Sequence, residues 1–417
     1  MISITIYIFL YFSLFLIVGV KSKWQLTLSF CISTILLSFS FLSVYYYSIS
    51  NNIFRDYSNL QISPFIYLFV CNLITLIPIF LYETKGSNLL VSNSSWNLIK
   101  YTSLFLILCS ILPFIENIIH LPQIFTNTDS LSKMYDNRLN GENNEFLSFI
   151  GRKFHRICTD FNLLIPIFLF LWLLKKPKKT LIIIGLIIAI LNLWLHSMAL
   201  GGRSKLVQNI LYTLGVYCVM FRFFDDKTKH KINTFLFILI GLGVFFVLLV
   251  SVSRFNNMDN TQLNNVWEWL ALYAGEGPLN FNSLMWHVNS SLNGIKTLIL
   301  PLFLFKIVPN YSVEFLWDKT DSLGIPGNIF YTYVGTIYSD FGIWGGIVFV
   351  SLISLIVSFF LIKKKTYVNV SHIILISLIM KILIVPTFYT YTTFDSQIAL
   401  SIALIFCLLS HIKFRNY

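Results

Sequence analysis

Two arginines in this sequence stand where long apolar segments end, and arginine is well suited to bind phosphate. Arg203 follows two glycines in the segment 201–205 (GGRSK), and Arg254 lies in the segment 253–255 (SRF). A guanidinium group matches phosphate oxygens in a bidentate manner, and the amino-terminal end of a helix favours anions. Arg203, Lys205 and Arg254 therefore predict a diphosphate site. The alternative for each is a cationic side chain that only marks a membrane interface.

A second group of residues could supply a general base and a sugar site. Glu276 lies between two glycines, and His287 follows Trp286. A carboxylate or an imidazole near an apolar surface has a pKa that its surroundings can adjust for base catalysis. Asn280, Asn282 and Trp286 suit a sugar, through hydrogen bonds to hydroxyls and stacking on the ring. The alternative is a loop that Gly-Pro turn chemistry holds in place.

A third group precedes a late apolar segment and offers another carboxylate. It comprises Asn328, Tyr331, Tyr338 and Asp340, and the last of these is followed by Phe341 and Gly342. We expect Asp340 as a further base candidate and the other three as sugar ligands. A helix N-cap at Asp340 and an ordinary interfacial tyrosine belt are the alternatives.

Other catalytic and metal-binding patterns are absent from the sequence. It has no HExxH, GxSxG, Walker or DxD motif, and its six cysteines have no metal-ligand spacing. We therefore expect neither a metal nor another cofactor.

The composition identifies the kind of protein that positions these residues. The 417 residues are 56% hydrophobic and 12% charged, with a formal net charge of +12. A soluble domain carries about twice that charge, so a soluble enzyme, a disordered chain and a disulfide scaffold are excluded. The basic residues stand in short blocks between apolar runs, which indicates the positive-inside pattern rather than binding to nucleic acid. The fold class is an all-α polytopic membrane protein.

Eleven apolar segments are long enough to cross a membrane. They lie at about residues 2–20, 24–48, 61–82, 98–120, 160–174, 180–200, 206–222, 233–252, 342–362, 368–388 and 397–411. The count could be 10 to 12, because residues 295–310 are apolar and could dip into the membrane or cross it. We treat residues 1–417 as a single membrane domain.

The basic blocks fix the expected orientation. With the amino terminus outside and the carboxyl terminus in the cytoplasm, all five blocks are cytoplasmic. Two long loops, 123–159 and 254–341, then lie outside, and residues 262–274 have the apolar stripe of an interfacial helix. Since the cytoplasmic loops are short, any chemistry is expected at the outer face.

The chain resembles the Wzy-type oligosaccharide repeat-unit polymerases (O-antigen polymerases), which are related to the O-antigen ligases. The resemblance covers about residues 150–400 and rests on the span layout, the large late loop and three motifs. These motifs are GGRSK at 201–205, SRF at 253–255, and the pattern Asn328, Tyr331, Asp340-Phe341-Gly342, Gly345-Gly346.

This resemblance implies a metal-independent membrane glycosyltransferase at the periplasmic face of the inner membrane. Polyprenyl-diphosphate-linked oligosaccharides would be both donor and acceptor, with Arg203 and Arg254 on the diphosphate. Membrane lipid, a flippase and a chain-length regulator are candidate partners. The related ligases use a histidine of the large outer loop, which here is His287. Diphosphate is a good leaving group, so the reaction needs mainly cations and a base, and a single displacement inverts the anomeric carbon. Glu276 is the first candidate for the base, followed by His287 and Asp340.

Three other functions stay open on the sequence. A lipid-linked oligosaccharide flippase or transporter is disfavoured because the chain has no internal repeat and its charges gather at the ends of spans. An O-antigen ligase differs only in its acceptor. A glycosyltransferase that uses polyprenyl-monophosphate sugars tends to carry an acidic motif in the first outer loop, where this chain offers only Arg55-Asp56.

Overall fold

The computed structural model describes residues 2–50, 57–86, 88–126, 147–199, 203–255, 266–288, 290–327, 329–362, 367–385 and 391–415. Within these residues the chain forms fifteen α-helices and no strand. The helices are α1 Ile2–Lys21, α2 Leu28–Ser50, α3 Ile62–Glu83, α4 Asn93–Thr126, α5 Phe149–Asp160, α6 Ile165–Leu174, α7 Thr180–Ala199, α8 Arg203–Met220, α9 Asp226–Phe255, α10 Val266–Ser283, α11 Ile299–Leu304, α12 Val313–Asp321, α13 Tyr333–Ile362, α14 Val370–Ile384 and α15 Phe394–Arg415.

The predicted all-α membrane architecture is confirmed. A helix lies at each of the eleven predicted spans. Among the described residues, eight helices are long and apolar enough to cross a membrane, and nine if the bent pair α5 and α6 is one span. The helix at the predicted span 160–174 has only 10 residues and meets α5 at 70°. The helix at 368–388 has 15 residues.

The helices cluster into two compact units. The first unit comprises Met1–Gly86, Gln262–Thr366 and Leu378–Leu400. The second comprises Ser87–Thr261, Tyr367–Ser377 and Ser401–Tyr417. The single membrane domain expected over residues 1–417 stays a prediction.

In the first unit, α1 buries one stripe of its surface against α2 and α3. Ile4, Tyr7, Tyr11, Leu14 and Val18 are buried at intervals of three and four residues. The opposite face is equally apolar but exposed, with Phe9 at 65% and Ile17 at 67%. An exposed face of this kind is stable in hydrocarbon, and its apolar side chains mark contact with lipid.

Helix α10 differs from the prediction for this region. The sequence predicted an interfacial helix over residues 262–274, with a Gly-Pro loop as one alternative after it, whereas α10 continues through Gly275, Glu276, Gly277 and Pro278 to Ser283. It packs along α2, where a β-carbon at Gly275 would lie 2.5 Å from the Leu42 carbonyl oxygen. Glycine allows this close approach, and the packing offsets the helix hydrogen bond that proline removes.

Helix α13 is two helices joined at Gly342, which has a φ of 68°. The Tyr333 hydroxyl donates to Asn72 Oδ1 (3.0 Å). The Tyr338 ring makes an edge-to-face contact with Tyr67, which lies about 8 Å nearer the amino-terminal end of α3 than Asn72 does. Beyond Gly342 the chain runs back along α3, and Ser354 donates to the Ile74 carbonyl. Residues 333–341 thus form a buried half-helix before the predicted span 342–362.

The apolar segment 295–310 does not form a long helix. Its only helix is α11, with six residues, which packs on α12 through Ile299, Val308 and Leu316. Pro301 lies inside this short helix, and a turn follows at Phe305 and Lys306.

Candidate functional site

Helix α10 presents its polar side chains to the backbone of its neighbours. Glu276 is 6% exposed, and its Oε1 atom accepts a hydrogen bond from the Phe330 N–H (3.3 Å). One turn further along, Asn280 Nδ2 donates to the Phe330 carbonyl (2.7 Å), and its Oδ1 accepts from the Tyr57 hydroxyl (2.8 Å). Glu276 and Asn280 together therefore hold the segment that leads into the buried half-helix.

Asn282 connects the same end of α10 to the start of α3. The Gln61 N–H donates to Asn282 Oδ1 (2.9 Å), and Asn282 Nδ2 donates to the Gln61 carbonyl (2.7 Å). The side chain is fully buried. These bonds give Asn280 and Asn282, both predicted as sugar ligands, a positioning role within the first unit.

An aromatic cluster covers the carboxyl-terminal end of α10. The rings of Trp286 and Tyr338 stack with their centroids 5.4 Å apart, and the Tyr338 hydroxyl donates to the Trp286 carbonyl (3.0 Å). Tyr67 and Phe281 contact both rings through their edges. Trp286 is half-buried and His287, the next residue, is exposed. The structure therefore brings these predicted ligands together, with Trp286 and His287 on the accessible side.

Asp340 is buried and does not begin a helix. It lies near the end of the buried half-helix and is 1% exposed. Its Oδ1 accepts from the Lys296 N–H (3.2 Å) and its Oδ2 from the Thr297 N–H (2.5 Å). The N-cap alternative for Asp340 in its own helix is therefore wrong, since the carboxylate binds the backbone before α11 instead.

Lys296, which the sequence analysis missed, completes this buried group. Its Nζ atom donates to the Tyr331 hydroxyl, and both side chains are almost fully buried. Burial lowers the pKa of Lys296 to about 8, although the charges of Asp340 and Asp321 oppose this shift. Burial raises the pKa of Tyr331 to about 12, against the hydrogen bond from Thr320. The signal in the sequence that could have identified Lys296 was its position as a charged residue in the apolar segment 295–310.

In the second unit, the residues predicted to bind diphosphate lie at helix ends. Arg203 is the first residue of α8, Lys205 lies exposed in its first turn, and Arg254 lies in the last turn of α9. The first N–H groups of a helix have no partner within it, which suits an anion. Asn328, the remaining predicted ligand, lies outside the described residues.

Helices α8 and α9 pack in opposite directions. The Tyr217 hydroxyl donates to Asn233 Oδ1 (2.6 Å), and Gly243 packs against Ile210 further along. Both helices rise by the same distance per residue, so these two contacts can be extended along the pair. The start of α8 then lies level with about residue 250 of α9, roughly one turn before Arg254. The two arginines thus stand at the same end of neighbouring helices.

A polar cluster that the sequence analysis missed lies among α4, α5 and α7, with two buried asparagines and two half-buried histidines. The rings of His155 and His196 are 3.8 Å apart, and Asn117 Nδ2 donates to Asn192 Oδ1 (3.0 Å). Asn117 Oδ1 lies 3.3 Å from His196 Nδ1, and Asn192 Nδ2 lies 3.5 Å from His155 Nδ1. The signal in the sequence was Asn192 and His196, one turn apart in an otherwise apolar span.

This cluster lies next to the start of α8. His196 is three residues from the end of α7, and the positive charge of Lys205 acts on the His155 ring. Glu116 holds α5 in place, because its carboxylate accepts from the Ser148 hydroxyl (2.6 Å) and Ser148 caps α5 at Gly151. Cations and neutral hydrogen-bonding groups therefore surround one helix end.

Comparison with known proteins assigns the family. The sequence profile of the O-antigen polysaccharide polymerase Wzy family matches residues 1–270. The match includes the first four spans, which carried little of the resemblance described above. No curated protein and no solved structure matches the chain. The chain therefore belongs to the O-antigen polysaccharide polymerase Wzy family of glycosyltransferase-type enzymes, which polymerise lipid-linked O-antigen repeat units in a membrane.

Proposed function

We propose that the shared end of α8 and α9 binds the diphosphate of a polyprenyl-linked oligosaccharide. The observation that carries this proposal is the antiparallel packing that brings the ends bearing Arg203 and Arg254 together. Lys205 adds a third positive charge, and the amino-terminal end of α8 favours an anion. Charge-assisted bonds from arginine to phosphate are about twice as strong as neutral ones.

The reaction proposed for this site is a single displacement. A hydroxyl oxygen at the non-reducing end of the incoming repeat unit attacks the anomeric carbon of the growing chain. The bond from that carbon to the diphosphate breaks, and its electron pair leaves with the diphosphate, whose developing charge the arginines stabilise. The hydroxyl proton passes to a base, and the configuration at the anomeric carbon inverts. No metal takes part in this scheme.

The three base candidates belong to the first unit, and among them His287 is the one whose side chain is accessible. Its side chain is exposed, whereas the carboxylates of Glu276 and Asp340 are buried and accept backbone N–H groups. A base must reach the hydroxyl that it deprotonates. The adjacent half-buried Trp286 ring provides a stacking surface for a sugar, and the buried Tyr338 ring stacks against it. Asn280 and Asn282 fix the end of α10 that precedes this surface, the buried Tyr331 binds Lys296, and Asn328 remains a proposed sugar ligand.

Arginine variants test the diphosphate site directly. Arg203→Ala and Arg254→Ala are compared with Arg222→Ala, which removes the same charge at the opposite end of the α8–α9 pair. Each is expressed in a deletion strain, and the surface polysaccharide ladder and protein abundance are measured. Loss of one charged hydrogen bond costs about 1.5–3 kcal/mol, so we expect at least a tenfold fall in polymer for the first two variants. Unchanged ladders in both would refute the site.

In the proposed orientation, the end of the α8–α9 pair that bears Arg203 and Arg254 lies at the periplasmic face of the inner membrane. The amino terminus is then periplasmic and the carboxyl terminus cytoplasmic. The basic segments at the opposite end of α8 and α9 support it. In a cysteine-free chain, Ser204→Cys should react with a membrane-impermeant thiol reagent in intact spheroplasts, and Lys227→Cys should not. The reverse labelling would overturn the orientation while leaving the diphosphate site to be judged by the ladder. A flippase and a chain-length regulator remain proposed partners.

A further inference from the structure

An apolar cavity of about 160 Å³ lies in the second unit, between α6, α7, α8 and α9. Its walls are hydrocarbon side chains, among them Phe170, Ile187, Ile190 and Leu236. Phe235 lines it and is exposed, so the cavity opens to the surface of the unit. The only polar side chains along its lining are two threonines and two lysines. Such walls suit a hydrocarbon chain and offer nothing to a sugar.

The cationic side chains stand together at one end of this cavity. Lys178 precedes α7, Lys231 lies in the second turn of α9, and both are exposed. Lys178 Nζ donates to the Thr228 hydroxyl (3.4 Å), which joins the two segments. Residues 175–179 and 222–231 contain eight lysines and arginines against two aspartates. The mouth of the cavity is therefore positively charged while its interior is apolar.

We propose that this cavity binds an anionic glycerophospholipid, with one acyl chain inside and the phosphate between Lys178 and Lys231. The complementary charge at the mouth identifies the headgroup, and the apolar walls identify the chain. A zwitterionic lipid gains less here because its ammonium group offsets its phosphate. The site lies at the opposite end of the α8–α9 pair from Arg203 and Arg254 and does not depend on their role.

Native mass spectrometry of the full chain in detergent tests this proposal. Dioleoyl phosphatidylglycerol and dioleoyl phosphatidylethanolamine are titrated separately, and bound lipid is counted. We expect the anionic lipid to bind at least tenfold more tightly. The double variant Lys178→Gln/Lys231→Gln should lose that preference, because each lysine near a surface contributes about 1 kcal/mol to binding an anionic lipid. The variant Ile187→Phe should also lose the preference for the anionic lipid, because the larger side chain fills the cavity.

The matched control is Lys176→Gln/Lys227→Gln, which removes the same charge from the same two segments at exposed lysines that do not line the cavity. It should retain the preference. If the control loses as much as the first double variant, general surface charge explains the binding and the site is refuted. If Ile187→Phe does not fold, Ile183→Phe, at another lining position, replaces it.

Competition distinguishes the two lipid sources that carry phosphate and a long chain. Polyprenyl phosphate is added to the complex with phosphatidylglycerol at equal concentration. Retention of phosphatidylglycerol supports the proposal. Displacement of phosphatidylglycerol from the unmodified chain, together with loss of polyprenyl phosphate binding in the Lys178→Gln/Lys231→Gln variant, would assign the cavity to the carrier lipid instead and would overturn our choice of occupant.

Discussion

Replacing Gly275 by alanine tests how closely α10 packs on α2. A β-carbon at this position would lie 2.5 Å from the Leu42 carbonyl oxygen and 2.8 Å from the Ser43 α-carbon. An ordinary contact is 3.4–4 Å, so the helices must separate locally by almost 1 Å. Both obstructing atoms belong to the backbone and cannot rotate away.

The expected magnitude is the difference between two opposing terms. Overpacking a buried contact costs about 1–3 kcal/mol or more, whereas alanine gains about 1 kcal/mol over glycine in a helix interior. Because the obstructing atoms are backbone, we take the upper end of the overpacking cost and expect a net destabilisation of about 2 kcal/mol. Because Glu276 and Asn280 hold Phe330 from the same helix, the shift should also reduce polymer formation.

Gly241→Ala is the matched control for this prediction. Gly241 lies inside α9, and a β-carbon there would meet nothing within 4 Å. The same substitution should then be neutral or stabilising by up to about 1 kcal/mol. The assay is the thermal midpoint of each purified variant in detergent, followed by size-exclusion chromatography. Equal midpoints for Gly275→Ala and the unmodified chain would refute the close packing of α10 on α2.

Three further predictions follow from the buried polar groups. Tyr57→Phe should destabilise the protein by about 1–2 kcal/mol, because Asn280 Oδ1 loses its buried donor; an unchanged thermal midpoint would contradict this. Asn282→Leu should cost about 2–4 kcal/mol, since it leaves both backbone groups of Gln61 without this partner; a normal midpoint with shortened polymer would instead favour a sugar ligand. For Lys296 the pKa falls from 10.5 to about 8 on folding, so the unfolded chain holds more protons between these values. Stability should therefore rise with pH through this window and be flat below it, and Lys296→Met should abolish the rise in thermal midpoints measured from pH 7 to 10.5.

The sequence by itself was sufficient to predict the class of fold and the positions of the spans. Crossing a membrane requires about 20 apolar residues whatever their neighbours are, so local composition carries the signal. The same reasoning placed arginines at helix ends, because charged residues are excluded from the interior of a span. Residues 201–205 and 253–255 were recognised in this way, and the family match at residues 1–270 includes both.

The sequence could not predict which faces of these helices are buried. In α1 the buried Leu14 and the exposed Ile17 differ little in polarity, so periodicity gives no indication of the packed face. The end of helix α10 could not be predicted from the local sequence either. Local preference favoured a loop at Gly275 to Pro278, and close packing against Leu42 made it a helix.

The partners of the polar side chains were decided by tertiary structure alone. His155 and His196 are 41 residues apart in the chain, and only the packing of α5 on α7 brings their rings to 3.8 Å. Lys296 and Tyr331, or Lys178 and Thr228, meet for the same reason. Hydrophobicity is a property of each segment and is read locally, whereas a hydrogen bond depends on the positions of two segments. The sequence therefore determined which residues have the chemistry, and the fold determined which of them are buried supports and which remain accessible.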